Sequence, residues 1–464
     1  MPQASPRIEL LCRVIVGLCS LWFVGVAAWE IAGPFGAGHY AAGPSFAVAA
    51  ENSLRFYEPG PVPTHYLSAA PRNNEIYCHH PWGFYWVMTA FVGLLGHHDW
   101  VVRLPAVLLS GLTVPLLYGL GRALWGPVSG AVAVVAFVTL PIALAFCNLS
   151  NLEVPAIFGM LLLAWSCVRF LQSALRRFWW LSLFAAVFAC GMDWPGLVFS
   201  ALWLGGLFLT QIGFATYFRV SNAPAVRRLL LVGGLLVALT VTIQISWFAR
   251  LGQLGDFLRS GSARTAGAEL PLAEVLESRR YWIELSFTWL AVLIGKLMLP
   301  VLLVRVVALR RPLEWCVLAL LGAASFHYVV FKNGADVHVF WSHYFAPYYA
   351  LALGALVATL QPFFEWLGQR AGANWLATRG SCWPQVAALC VGLLPSLFIM
   401  GDGVSALVYA RLTGGRFDQR GALIHADKDK VAFMEWLAPS VPVFSGAVLH
   451  PSMKPSFWMS WSLG

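Results

Sequence analysis

Charged side chains are scarce in this sequence. Asp, Glu, Lys and Arg make up 11% of the 464 residues, against 59% hydrophobic residues. Soluble domains contain about 25% charged residues, so this chain lacks the polar groups needed to cover a water-exposed surface. The composition therefore excludes an ordinary soluble protein. The formal net charge of +9 does not indicate nucleic-acid binding, because the basic residues lie in short connections between apolar runs.

The sequence also lacks a cysteine framework, internal repeats and low-complexity segments. Nine cysteines are present, but most lie inside apolar runs, and their spacing fits neither a zinc site nor a disulfide-linked domain. We interpret them as small core residues. Transporters typically combine repeats with ionisable groups at mid-membrane depth, and Lys296 is the one clear ionisable residue within an apolar run. A transporter is therefore disfavoured.

Long apolar runs are what the sequence has instead. Eleven of them approach the roughly 20 residues that a helix needs to cross a bilayer. Because backbone polar groups must be satisfied inside the bilayer, such runs predict helices. The chain is thus predicted to be an all-α polytopic membrane protein. The predicted spans are 12–33, 104–121, 128–147, 154–172, 178–192, 195–215, 229–249, 283–304, 315–331, 345–361 and 383–401.

The placement of basic residues predicts the orientation in the membrane. Arginine pairs at 176–177, 227–228 and 310–311 lie in short connections, which the positive-inside rule assigns to the cytoplasm. The N-terminus is then cytoplasmic, and the C-terminus lies on the outer side. We expect the first run to be an uncleaved signal anchor; the alternative is a signal peptide cleaved after residues 26–28.

This orientation leaves a long first outer loop, 34–103, and a short outer tail, 402–464. Residues 1–401 form the predicted membrane domain, and the tail has too few residues for a substantial independent domain. Nearly all acidic residues and all 11 histidines fall on or near the outer face. Any chemistry is therefore expected at the outer membrane surface.

The stretch CHHPWGFYW at residues 78–86 opens a run that is too short to cross a bilayer. As a helix, Phe84–Gly96 would be about 20 Å long, against a hydrocarbon core of about 30 Å. With Trp and Tyr at headgroup depth, it is predicted to lie in the membrane interface. His79 and His80 would then face a cavity at the mouth of the bundle, or they are interfacial polar residues at the helix start.

Several motifs follow one another in a characteristic order and on consistent sides of the membrane. They are His79-His80-Pro81 with Tyr85-Trp86, GHHDWVVRLP at 96–105, GRALWG at 121–126, Glu153, Asp193-Trp194-Pro195 and FWSHYFAP at 340–347. With the long first loop, they resemble the GT-C class of integral-membrane glycosyltransferases, in the group of protein O-mannosyltransferases and lipid A aminoarabinose transferases. The resemblance extends over residues 10–360.

The resemblance implies an active site at the periplasmic face of a bacterial inner membrane. The donor would be a polyprenyl-phosphate-linked sugar presented from the bilayer, and the acceptor a protein, a lipid or a glycan. An inverting displacement at the anomeric carbon needs a carboxylate as general base. It also needs fixed positive charge, or a divalent metal, on the departing phosphate. The candidate donor-binding residues are His79, His80, Arg55, Arg103, His338 and His343.

The general base is where this sequence departs from the family pattern. The family usually has an acidic residue just after the first span, but residues 36–50 contain none. His39 is the nearest titratable group, and a neutral imidazole can accept a proton. The other candidate catalytic residues are Glu153 and Asp193, although both also stand where a helix would start. Arg103 likewise has a structural alternative, as an interfacial anchor.

Two functions from different classes follow from these observations. The first is a glycosyltransferase that moves a sugar from a polyprenyl-phosphate donor to an acceptor at the periplasmic membrane face. The second is a catalytically inactive GT-C-like subunit with a structural or assembly role in a membrane complex. The missing first-loop acid favours the second, and the outer-facing set of His, Arg and acidic residues favours the first.

Overall fold

The structure is a computed structural model that describes residues 5–29, 31–33, 42–63, 73–212, 223–265, 271–370 and 383–413. Within these ranges the secondary structure is helical, and no strand occurs. The predicted all-α polytopic fold is confirmed.

The helices of the described residues are, in chain order, α1 (Pro6–Ala28), α2 (Ala42–Phe56), α3 (Gly83–Leu95), α4 (Asp99–Trp125), α5 (Pro127–Thr139), α6 (Pro141–Phe146), α7 (Glu153–Ser173), α8 (Arg176–Met192), α9 (Trp194–Ile212), α10 (Ala223–Arg250), α11 (Leu254–Thr265), α12 (Leu272–Val307), α13 (Trp315–Val330), α14 (Lys332–Val337), α15 (Ala346–Arg370) and α16 (Trp383–Thr413). Short 3₁₀ segments are η1 (Asn73–Glu75), η2 (Pro312–Glu314) and η3 (Val339–Phe345).

Each of the eleven predicted spans overlaps a helix of the described residues. Eight helices of the described chain are long and apolar enough to cross a membrane. The other three predicted spans, 128–147, 178–192 and 195–215, fall on the pair α5 and α6, on α8 and on α9. The first of these is broken at Leu140, whose φ and ψ are −60° and 130°. The break follows from Pro141, because a residue that precedes proline avoids the helical region.

The helices pack into a bundle in which α7 is enclosed and α10 is peripheral. Most residues of α7 are buried, and α7 packs against α4 and α8. Helix α10 instead exposes Leu231, Leu235 and Leu239, which are 67%, 67% and 48% exposed. A row of large apolar side chains at helical spacing is what a lipid-facing helix surface requires.

Glycines bring α4 and α5 into close contact. A Cβ on Gly121 would lie 2.8 Å from the Cα of Gly130, so these two backbones touch where side chains would keep them apart. Between the helices, Gly126 has a φ of +105°, which L side chains rarely adopt. The GRALWG motif therefore forms the end of α4 and, at Gly126, the tight turn into α5.

Two helices of the first loop pack against each other beside the bundle. The ring of Phe46 in α2 lies 5.1 Å from Phe84 and 4.3 Å from Tyr85 in α3. The helix predicted over Phe84–Gly96 is confirmed as α3. Its 13 residues rise about 20 Å, which is too short for a bilayer.

A buried ion pair fixes one end of the bundle. The Arg305 guanidinium donates to both Glu314 oxygens at 2.6 and 2.7 Å. The two side chains are 8% and 2% exposed. Bidentate geometry of this kind offsets much of the desolvation cost of both charges. The pair ties the end of α12 to the start of α13.

The last helix, α16, runs past the predicted domain boundary at 401 and ends at Thr413. Residues 414–464, which are most of the predicted outer tail, lie outside the described residues. The division of the chain into a membrane domain and a tail therefore stays a prediction.

Candidate active site

An irregular segment leads from η1 into α3 and carries the histidine pair. Its Tyr77 N–H donates to the Pro61 carbonyl at 2.8 Å, and the Trp82 indole donates to the Tyr77 carbonyl at 2.9 Å. A small apolar core surrounds it, consisting of Val62, Ile76, Cys78, Trp82 and Phe248. Because the backbone is anchored on both sides, His79 and His80 are held in defined positions.

His80 binds a buried carboxylate. Its Nδ1 lies 2.6 Å from Oδ1 of Asp193, and the Tyr344 hydroxyl donates to Oδ2 of the same carboxylate. His80, Asp193 and Tyr344 are 6%, 1% and 0% exposed. Burial raises the pKa of the Asp193 carboxyl. Its charge interactions and hydrogen bonds, chiefly with His80, outweigh that effect and lower the pKa to about 2. Asp193 is therefore an ionised carboxylate held by two side-chain donors.

Asp193 also has the structural role that its position predicts. The backbone N–H of Trp194, the first residue of α9, donates to Oδ1 of Asp193 at 2.8 Å. The Trp194 indole donates to the carbonyl of His79 at 2.9 Å. The Asp193 carboxylate thus connects the end of α8, the start of α9 and the histidine pair. It binds the first N–H of α9 and His80 at the same time.

Glu153 lies beside this group, at the first position of α7. Its carboxyl interacts electrostatically with Asp193, Tyr77 and Tyr344. The residue is 3% exposed, and its Oε2 has no hydrogen-bond partner in the part of the chain that the structure describes. A buried carboxyl oxygen without a donor is unfavourable for folding.

Helix α11 adds a third acid and a cation to the site. Oδ2 of Asp256 lies 2.7 Å from Nε2 of His79. The Arg264 guanidinium interacts electrostatically with His79 and with the Tyr77 phenol. Burial lowers the pKa of His79 more than the hydrogen bond from Asp256 raises it. The neutral form of His79 is therefore favoured, and Arg264 supplies positive charge on this side of the site.

A row of aromatic rings extends from Tyr344 toward α14. The His327 ring lies 5.5 Å from Tyr344 and 4.2 Å from Trp341, and the His338 ring lies 5.1 Å from Trp341. His327 is 2% exposed, and its Nε2 has no hydrogen-bond partner among the described residues. The predicted donor-binding residue His338 is thus connected to the buried carboxylate through ring contacts.

Two predicted donor-binding arginines make other contacts. The Arg103 guanidinium donates to the backbone carbonyls of Ile31 and Gly33, and thereby holds the chain that follows α1. The Arg55 guanidinium lies over the Phe56 ring, 5.1 Å from its centroid. Bonds to backbone carbonyls occupy N–H groups that a lipid phosphate would need. The assignment of both residues to donor binding stays a prediction.

His343 and His39 complete the predicted set. His343 in η3 is 3% exposed, and its Nδ1 makes no hydrogen bond within the described ranges. His39 lies outside the described residues. The predicted residues that the structure brings together are His79, His80, Glu153, Asp193 and, through ring contacts, His338.

The sequence analysis did not assign four residues that contribute to this group. His327 lies on the predicted span 315–331, and Tyr344 directly precedes the predicted span 345–361. The Tyr344 contact joins residues 151 positions apart. Asp256 and Arg264 lie in the connection between the predicted spans 229–249 and 283–304, where the structure has the 12-residue helix α11. The one available signal was the concentration of charge in that segment.

A divalent metal was the alternative to basic side chains as the source of positive charge on the departing phosphate. No group of three or more His, Cys, Asp or Glu side chains that could hold a metal ion occurs among the described residues. The positive charge that these residues bring to the site comes from Arg264 and from His80 when it is protonated. A divalent metal stays a prediction.

The bundle and its site define a class of protein. The chain superposes on ArnT of Cupriavidus metallidurans bound to undecaprenyl phosphate, over 97% of this chain and 84% of that one, with a TM-score of 0.55 and 16% identity. It superposes on the archaeal oligosaccharyltransferase AglB of Archaeoglobus fulgidus, in complex with an inhibitory peptide and a dolichol-phosphate, with a TM-score of 0.59 and 13% identity. The fold is that of the GT-C superfamily, and the resemblance predicted from the sequence is confirmed.

Sequence comparisons match part of the chain. The profile of the dolichyl-phosphate-mannose-protein mannosyltransferase family matches residues 79–247, a range that begins at the histidine pair. YycA of Bacillus subtilis (strain 168), which is named as a mannosyltransferase, is 24% identical over 164 residues. That match covers 35% of this chain and 22% of YycA. The AglB superposition covers 94% of this chain and 58% of AglB.

Proposed function

We propose that this protein is a glycosyltransferase that moves a sugar from a polyprenyl-phosphate donor to an acceptor, at the membrane face where Glu153 and Asp193 lie. We expect that face to be the periplasmic surface of a bacterial inner membrane. The pair of buried carboxyl groups carries the proposal, because Asp193 is held by two side-chain donors and Glu153 has an oxygen without a partner among the described residues. The lipid phosphates bound to ArnT and AglB support a donor of this kind.

Glu153 is the general base of this proposal. Its Oε2 can accept the proton of an acceptor hydroxyl, whereas both oxygens of Asp193 are already hydrogen-bonded. The hydroxyl oxygen forms a bond to the anomeric carbon as the bond from that carbon to the phosphate oxygen breaks. The lipid phosphate leaves with the bonding electrons, and attack from the opposite face inverts the anomeric configuration.

His80 and Arg264 stabilise the departing phosphate. A planar guanidinium can bind two phosphate oxygens at once. Because Nδ1 of His80 is bound to Asp193, the opposite ring nitrogen, Nε2, is the atom that can donate to the phosphate. The Asp193 carboxylate fixes the orientation of the His80 ring. The Arg264 guanidinium then supplies fixed positive charge where negative charge develops.

The test measures release of lipid phosphate by the purified full-length protein in nanodiscs. A panel of polyprenyl-phosphate donors with labelled sugars is supplied with protein, lipid and glycan acceptors, and at least one donor should turn over. Glu153→Gln should lower turnover by about 10²–10⁴-fold, the usual contribution of a general base, without weakening donor binding. Glu274→Gln, an exposed acid at the start of α12, is the matched control and should retain native turnover.

Two outcomes would contradict different parts of this proposal. A native protein that binds the donors but releases no lipid phosphate would refute the transferase function. A Glu153→Gln variant that turns over at the native rate would refute the assignment of the base and leave the function standing.

The second candidate function is a non-catalytic subunit of a membrane complex. It is favoured by the absence of any acidic residue between positions 36 and 50, where the GT-C resemblance implies a catalytic acid. Co-purification with other membrane proteins at a fixed stoichiometry, together with no turnover of any donor, would support this function.

A further inference from the structure

A cavity of about 690 Å³ lies at the other end of the bundle from the candidate active site. The turn between α4 and α5 forms one wall, and α12, α15 and α16 form the others. Glu153 begins α7, whereas Gln172 near its end donates to the carbonyl of Ala123 in the last turn of α4. The 21 residues of α7 therefore separate the cavity from the site by about 30 Å. Ligand-binding sites typically occupy about 300–1,000 Å³.

The cavity has a positive side. Arg305 is engaged by both Glu314 oxygens. Arg311 also lines the cavity, but its Nη1 is 3.7 Å from the same carboxylate, which is beyond a hydrogen bond, and its side chain is 45% exposed. Two guanidinium groups thus share one negative charge, and Arg311 has N–H donors to offer to an anionic group.

The cavity also has an acceptor side. Glu365 in α15 lines it and accepts from Gln361 at 2.9 Å, which leaves further lone pairs on the carboxylate. Gln385 in α16 lines it as well, and its Oε1 has no hydrogen-bond partner among the described residues. A carboxylate and an amide oxygen both require donors. A primary ammonium, with three N–H groups, matches them, whereas a quaternary ammonium has none.

Apolar side chains complete the lining and continue onto the outer surface. Val304 and Leu309 line the cavity and are 54% and 58% exposed. Their neighbours Leu303 and Val307 are 44% and 59% exposed. The cavity is therefore continuous with an apolar surface of the kind that contacts lipid chains.

We propose that this cavity binds a phospholipid whose headgroup carries both a phosphate and a primary ammonium. The phosphate binds Arg311, the ammonium binds Glu365 and Gln385, and the acyl chains lie along the exposed face of α12. Basic pockets between membrane helices are known to hold lipid headgroups. This end of the bundle is the arginine-rich end, so the lipid would come from the leaflet predicted to be cytoplasmic.

The experiment uses the full-length protein in nanodiscs of phosphatidylcholine with one added lipid. Native mass spectrometry counts the retained molecules of phosphatidylethanolamine, phosphatidylglycerol or labelled phosphatidylcholine. Phosphatidylethanolamine should be retained preferentially. Arg311→Gln should weaken phosphatidylethanolamine binding about fivefold, the usual effect of one basic residue on an anionic headgroup. Glu365→Gln should abolish the preference for phosphatidylethanolamine over phosphatidylcholine. Arg228→Gln, an exposed arginine on α10, is the matched control.

Two further measurements distinguish a lipid in the cavity from lipid bound elsewhere and from a water-soluble occupant. Ala358→Trp should fill the cavity and abolish retention, with an unchanged melting temperature as evidence of folding. Equal retention of all three lipids would overturn the proposal. Displacement of the bound lipid by soluble phosphoethanolamine, which has no acyl chains, would also overturn the proposal. The natural occupant would then be a water-soluble molecule.

Discussion

Replacing Tyr344 by Phe removes one hydroxyl group from an otherwise unchanged ring. That hydroxyl donates to Oδ2 of Asp193, whose pKa of about 2 keeps it ionised at neutral pH. Tyr344 is 0% exposed, so water cannot supply the missing donor without entering the core. A hydrogen bond to a charged group contributes about 1.5–3 kcal/mol. Tyr344→Phe should therefore lower the free energy of unfolding by that amount.

Tyr348→Phe, one helical turn further along the chain, is the matched control. Tyr348 is 1% exposed, and its hydroxyl donates to the neutral carbonyl of Gly295 at 2.7 Å. A hydrogen bond between neutral groups contributes about 0.5–1.5 kcal/mol. Both variants lose the same atom from a buried ring, so the difference between them isolates the effect of charge. Tyr344→Phe should cost about 1 kcal/mol more.

The assay is reversible unfolding of the full-length protein in mixed micelles, followed by tryptophan fluorescence as the fraction of denaturing detergent increases. The two variants and the native protein are compared at neutral pH. Equal losses for the two variants would refute the reasoning, because they would mean that the acceptor of the Tyr344 hydroxyl is not an ionised carboxylate.

Two further predictions concern α9 and the histidine pair. Gly196→Ala would place a Cβ 2.0 Å from the carbonyl oxygen of Ala189 and should lower the free energy of unfolding by at least about 2 kcal/mol. Gly205→Ala, with nothing within 4 Å of the added Cβ, should be neutral or slightly stabilising. Equal melting temperatures of the two variants would contradict this. Because burial lowers the pKa of His79 below 6.5, its contribution to stability is fully present above pH 6.5 and is lost as the pH falls through the folded pKa. His79→Gln should therefore flatten the fall in melting temperature on the acid side of pH 6.5, and an unchanged pH profile would contradict that.

The membrane helices could be predicted because their signal is local. An apolar run of sufficient length must be helical in a bilayer, so the predicted span 154–172 agrees with α7 to within one residue at each end. The division of the span 128–147 also had a local cause in Pro141. Helix α11 was missed because its 12 residues carry too many polar groups to register as an apolar run.

The site could be predicted only in part, because its contacts are long-range. Glu153 and Asp193 were recognisable as acids at the ends of apolar runs on one side of the membrane. Their neighbours were not, since His80 and Asp193 are 113 positions apart. The contacts of Arg103 were hidden for another reason: its acceptors are backbone carbonyls, and every residue has one.

The two buried acids of the site, Glu153 and Asp193, differ in their hydrogen bonding, and this bears on the missing first-loop acid. Two unshielded carboxylates side by side would repel each other. His80 and Tyr344 engage both oxygens of Asp193, whereas Glu153 lies nearby with an oxygen unengaged in the described structure. A protein with a purely structural role would be more stable with a neutral or apolar residue at position 153. The retention of a buried carboxyl there is accounted for if a ligand brings the donor, as an acceptor hydroxyl would, and α7 then supplies the base that the first loop lacks.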